Sequence, residues 1–214
     1  MDQETEIITQ ETRVEKIRTF FLSNKKSLIS ILIIIILSVF GYFFYVDYQK
    51  NQKTTLGNKY NNVLIKFNIS NKSEMISELK EIIMEKDSTY SPLALYYLID
   101  NSLIKSKEEI NKLFDVVIEK TKLEKEIKNL IIYKKGIYNS QFEKENELIK
   151  ILNPVLNSES VWKPHALYLL AEYFYSKGEK QKSREFFQNI LDIENVDQNI
   201  LIKAQKRIQR DFSE

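Results

Sequence analysis

The chain has no cysteine and a single histidine in 214 residues. The first absence excludes a disulfide-stapled fold, a thiolate metal site, a cysteine nucleophile and a lipidated N-terminal cysteine. One imidazole, His165, cannot build a histidine metal cage, and nothing in the sequence places a nucleophile beside it. Glycine and proline are scarce, with four and three residues. That scarcity excludes a turn-rich β protein and leaves no glycine-rich phosphate loop. Charge of one sign is also lacking: 32 Lys and Arg stand against 30 Asp and Glu, a net charge of +2. A general nucleic-acid binder carries a basic excess or stripe, so no nucleic-acid partner is expected. Acidic groups do occur together, at Glu108-Glu109 and at Glu143, Glu145 and Glu147. They alternate with Lys107, Lys112, Lys144 and Lys150, the pattern of a solvated helix face rather than of an acid–base pair in a pocket. No catalytic residue, metal, cofactor or small-molecule substrate is expected, and the chain reads as a non-enzyme.

What is present begins with an uncharged run of 20 residues between Lys26 and Asp47, SLISILIIIILSVFGYFFYV. At about 1.5 Å per residue it makes roughly 30 Å of helix, the thickness of a bilayer hydrocarbon core. Tyr42, Phe43, Phe44, Tyr45 and Tyr48 close it as an interfacial aromatic belt does. A cleaved signal peptide has a shorter apolar stretch and a small-residue cleavage site, and the exit Phe-Phe-Tyr-Val-Asp offers none. Five bases in residues 13–27 (Arg13, Lys16, Arg18, Lys25, Lys26) face three in residues 47–61 (Lys50, Lys53, Lys59). Excess Lys and Arg stay on the cytoplasmic side. The expected layout is a cytoplasmic tail over 1–26, a transmembrane helix over 27–46 in the lipid bilayer, a polar link over 47–55 and an exported helical domain over 56–214.

The exported part repeats apolar residues at helical spacing. Met75, Ile76, Leu79, Ile82 and Ile83 form one stripe, and Ile110, Leu113, Phe114, Val117 and Ile118 another. Leu148, Ile149, Leu152, Val155 and Leu156 form a third, and Phe186, Phe187, Ile190 and Leu191 a fourth. Helices this short do not stand alone in water and must pack on neighbours. The neighbours recur: Ser91-Pro-Leu-Ala-Leu-Tyr-Tyr-Leu98 returns as Lys163-Pro-His-Ala-Leu-Tyr-Leu-Leu170, 72 residues on. That offset is about two helical hairpins of 34 to 36 residues, the signature of a solenoid. Leu167, Leu170, Ala171, Phe174, Gly178, Ser183, Phe187 and Ile190 occupy tetratricopeptide positions. Ser183 stands where Ala is usual and Asn195 where Pro is usual.

The predicted fold is all-α: one N-terminal transmembrane helix, then a tetratricopeptide-like solenoid. Its hairpins pair 56–68 with 73–86, 91–104 with 107–120, 123–139 with 143–157 and 162–176 with 180–192. A closing helix, 197–212, turns Ile200, Leu201, Ala204 and Ile208 inward and shows Lys203, Lys206, Arg207 and Arg210 outward. On the two helices related by the duplication, Tyr96, Tyr168 and Tyr175 are expected to line a concave groove with Asp100, His165 and Glu172. Tyrosine joins apolar area to a polar handle, as protein-binding surfaces do. The other reading of these positions is ordinary surface tyrosines.

A short N-terminal tail, the basic stretch and span of 13–46, a first helix over Tyr60–Phe67 and the repeat from Trp162 to Ile208 together resemble the ancillary subunit family of the SecYEG translocon. The resemblance implies a bacterial inner-membrane protein with a periplasmic protein-binding domain. Its implied partners are the SecYEG translocon and a periplasmic chaperone. An envelope or cell-division adaptor of the same topology is a second reading, and a regulatory subunit of a membrane enzyme a third.

Overall fold

The computed structural model describes residues 15–65, 72–194 and 196–212. The expectations for residues 1–14, for 66–68 and for Asn195 lie outside these. Among the described residues the fold is all-α, without a strand. In chain order the helices are α1 (residues 15–23), α2 (Lys25–Ile65), α3 (Lys72–Met84), α4 (Tyr90–Asp100) and α5 (Lys107–Asp115), which runs on as a π-turn, Val116–Lys120. They continue as α6 (Lys125–Asn139), α7 (Glu145–Leu156), α8 (Lys163–Ser176), α9 (Lys180–Leu191) and α10 (Gln198–Phe212). The chain divides into two compact units between Thr55 and Leu56.

The first unit holds α1 and most of α2. Among the described residues α2 is the one helix long and apolar enough to cross a membrane, and none of its apolar stretch is buried. A helix in lipid must satisfy its polar groups internally. The Ser30 and Ser38 hydroxyls do so, donating to the carbonyls of Lys26 (3.0 Å) and Ile34 (2.8 Å) one turn back. Over residues 47–55, the polar link, the chain runs on as further turns of α2. Asn51 donates to Asp47 (3.1 Å), Gln52 to Tyr48 (3.0 Å) and Thr54 to the Lys50 carbonyl (2.9 Å), partners four residues apart that hold a polar helix together.

The second unit begins as α2 ends. Leu56, Tyr60 and Leu64 pack against a core built on Leu79, Ile82, Leu95, Leu98 and Phe114. The expected pairing changes here: α4 lies closest to α3 and scarcely approaches α5. Two features decide it. The buried Ser91 hydroxyl donates to the Ile82 carbonyl at 3.0 Å, and the Asp87 carboxylate accepts the Thr89 and Tyr90 amides at 2.8 Å, so the link between α3 and α4 is short and fixed. At its other end α4 stops at Asp100, short of the expected 104. Ser102 turns the backbone to φ 49°, and Leu103 and Ile104 fill the space before α5 as buried, irregular chain.

The second half is more regular. α6 meets α7 where Gly136 lies against the fully buried Leu152. α8 and α9 form the closest pair in the chain. Gly178, at φ 79°, ends α8 in the left-handed region, and the Glu179 amide closes the turn on the Phe174 carbonyl at 3.0 Å. α10 packs on α9 and α8. The duplicated segments behave alike: Ala94 and Ala166 are fully buried, as are Leu98 and Leu170, while Tyr96 and Tyr168 are half-buried. One outward assignment is corrected. Arg207 turns inward, its side chain 12% exposed, whereas Lys203, Lys206 and Arg210 do face solvent. A guanidinium on a long apolar stem can lie on rings and pair with a carboxylate at once.

Candidate interaction surface

α6, α8 and α10 lie side by side, with α4 preceding them in the array. The six groove positions fall into three groups on this series. On α4, Asp100 is exposed and Tyr96 is half-buried. The Lys134 ammonium on α6 sits 4.2 Å from the centroid of the Tyr96 ring, a cation–π contact. The Tyr96 hydroxyl is enclosed and has no hydrogen-bond partner among the described residues. Burial, and then the charge of Asp100, push this phenol well above its ordinary value.

At the start of α8, His165 packs at an angle against two rings. Its centroid is 5.3 Å from Trp162 and 5.9 Å from Tyr133, and those two rings stack on each other at 5.9 Å with 20° between planes. Nδ1 of His165 is enclosed without a hydrogen-bond partner among the described residues.

Tyr168, Glu172 and Tyr175 follow one another on a single face of α8, and here the structure brings the expected residues together. They meet α10. Arg207 gives Nε (2.7 Å) and Nη2 (2.8 Å) to the two Glu172 oxygens and also pairs with Asp211. The same guanidinium lies 4.5 Å from the Tyr175 centroid, with Phe212 edge-on to that ring at 5.8 Å. Tyr168 packs edge-on to Phe187 at 5.3 Å. Burial first, then Glu172, raises the Tyr168 phenol above its ordinary value. Beside it opens a cleft of about 520 Å³ lined by Tyr168, Lys203, Lys206, Arg207, Gln209 and Arg210.

The surface is thus made of aromatic rings, cations and a few carboxylates. It can grip side chains by area, cation–π contact and charge. Tyr133, Lys134, Trp162 and Arg207 touch the candidate residues and were not among the positions expected to line the groove. Trp162 meets His165 within the same turn, whereas the partners of Tyr133, Lys134 and Arg207 lie tens of residues away and only the helix series brings them together.

A family model, the tetratricopeptide repeat-like domain, matches residues 18–134. The match takes in the apolar span and runs into α6, more than half of the chain. The pair α8–α9, whose sequence follows the repeat most closely, lies beyond it. No curated protein and no solved structure matches the chain.

Proposed function

The chain belongs to the tetratricopeptide repeat-like domain family, and from that premise we propose that it is a membrane-anchored, non-enzymatic scaffold that binds protein partners. The observation that carries this reading is helix α2. Its apolar stretch is wholly unburied, and its last turns pack Leu56, Tyr60 and Leu64 into the repeat core. An anchor and the first element of a binding domain are one continuous helix.

In its finer form the proposal places residues 27–46 across a bacterial inner membrane, residues 1–26 in the cytoplasm and the domain from residue 56 in the periplasm. The basic bias before the span supports that orientation. The partners are the SecYEG translocon and a periplasmic chaperone, on the strength of the shared architecture. The binding face is the one carrying Tyr96, Asp100, His165, Tyr168, Glu172 and Tyr175. Half-buried aromatics beside charged groups are the anchors that carry most of an interface's energy.

Crosslinking in membranes, followed by affinity isolation in mild detergent and mass spectrometry, tests the partner. Translocon subunits should be enriched over an anchor-only control carrying residues 1–55. Equal recovery with that control would remove the domain from recognition. Orientation is tested separately: an alkaline phosphatase fusion after Glu214 should be active and one after Ser23 inactive, and the reverse pattern would put the domain in the cytoplasm.

A further inference from the structure

We propose that the cleft between α8 and α10 is a docking site for an acidic segment of a partner protein. The proposal rests on the scaffold reading and names the chemistry of what that scaffold holds.

Lys203, Lys206 and Arg210 fall on one face of α10 at spacings of three and four residues. The row advances by about 10 Å along the helix. Lys203 and Lys206 are exposed, and among the described residues neither has an ion-pair or hydrogen-bond partner. Arg210 is partly engaged, giving Nε (2.8 Å) and Nη2 (3.0 Å) to Asp211. Behind the row, Arg207 is held by Glu172 and Asp211, so the floor of the cleft is fixed. Four bases (Lys203, Lys206, Arg207, Arg210) face two acids (Glu172, Asp211), which leaves two positive charges uncompensated, and these are the two free lysines.

The free charges select the ligand. The Tyr168 ring is half-buried and lines the cleft, a solvent-open depression of about 520 Å³ that can seat a side chain beside the lysines. The guanidinium fork best suited to a phosphate is already spent on Glu172. What remains free is a pair of ammonium point charges on flexible stems, which suit separate carboxylates. Carboxylates one helical turn apart, or two residues apart on an extended strand, are spaced by about 5 to 7 Å, and the lysines can follow either.

The test uses the full chain in nanodiscs of neutral phosphatidylcholine and a fluorescein-labelled glutamate-rich peptide carrying one phenylalanine. Its glutamine counterpart is the control, and binding is read by anisotropy at low and high salt. The glutamate peptide should bind and should weaken as salt screens the contact. The glutamine peptide should bind at least about ten-fold less tightly, and K203E/K206E should lose at least about ten-fold for the glutamate peptide. K105E/K122E, at a distance from α10 in the array, should lose nothing, and circular dichroism should show both variants folded. Equal binding of the two peptides, equal loss in both variants, or no binding at all overturns the proposal. So does Lys203- and Lys206-dependent capture by phosphatidylglycerol vesicles without peptide binding, which would make the face a lipid contact. Failure here is separable from failure of the scaffold reading. If partners are isolated equally by wild type and K203E/K206E, the acidic-segment proposal fails and the scaffold stands. If the domain enriches no protein, the scaffold reading fails.

Discussion

The Ser183 hydroxyl donates a 2.8 Å hydrogen bond to the Ala171 carbonyl, with both residues fully buried where α9 crosses α8. Small side chains let the backbones approach, and the hydroxyl finds its partner in the facing helix itself. The same device recurs between α4 and α3, where Ser91 bonds the Ile82 carbonyl. Ser183→Ala should therefore fold with a loss of about 1 kcal/mol, the net worth of one hydrogen bond. Ala171→Leu should overpack the crossing and cost about 1–3 kcal/mol. Denaturant unfolding of the full chain in detergent checks both, and an unchanged midpoint for Ala171→Leu would mean that α8 and α9 do not cross there.

At the α6–α7 crossing a side chain on Gly136 would collide with the end of Leu152, which is fully buried and has no room to swing away. Alanine in place of glycine inside a helix is worth about 1 kcal/mol in its favour. Overpacking costs about 1–3 kcal/mol against it. Gly136→Ala should come out destabilised by up to about 2 kcal/mol, and should cost less when made in a Leu152→Ala background, where the colliding side chain is gone. A double-mutant cycle should give a coupling of at least about 0.5 kcal/mol. Additive effects would place the two residues out of contact.

Asn111 and Asn139 face each other across α5 and α6 and exchange amide hydrogen bonds of 2.9 and 2.8 Å, with Asn139 fully buried. Replacing one by Leu strands the other, a penalty of about 1–3 kcal/mol. Replacing both should cost less than the sum of the single changes. Melting curves of the three variants decide it, and a double variant as unstable as the sum would deny the pairing.

Tyr96 carries an enclosed hydroxyl without a hydrogen-bond partner among the described residues. Tyr96→Phe should leave neutral-pH stability unchanged or raise it by up to about 1 kcal/mol, because the group removed was desolvated for nothing in return. The folded phenol is raised above the ordinary value of 10.0. Its contribution is complete below that value and is lost as pH climbs past it, since the unfolded chain then releases a proton the folded chain keeps. Stability of Tyr96→Phe should fall less steeply on the alkaline side than that of wild type. Parallel curves would show Tyr96 open to water.

Much of this architecture is legible in the chain because burial follows period. Every residue of the duplicated Ala-Leu and Leu positions is buried, and so are Leu79, Leu113, Leu148 and Phe187 in the four stripes. Helix partners are less legible. Nothing local says that α4 turns to α3, because the choice rests on a left-handed Ser102 and on a serine hydroxyl reaching nine residues back. Arg207 reads as one more base on a polar face, and only α8 shows what it holds. The groove residues are legible as types and not as a set: Tyr168, Glu172 and Tyr175 share one face of α8, while Tyr96 and His165 each answer to neighbours on α6.

The pairing of Asn111 with Asn139 is one rung of a seam whose next rung is also polar, Lys135 to Asp115 at 2.6 Å. Apolar cores lie on either side: the one built on α3, α4 and α5 reaches into α6 through Ile131 and Tyr138, and the one built on α6 to α9 takes in Ile118. In a linear array, stability is close to a sum of units and nearest-neighbour couplings, and this partly polar seam couples its neighbours less extensively than the α8–α9 crossing does. The two halves should then open as separate cooperative blocks, with amide protons of α8 and α9 exchanging more slowly than those of α4.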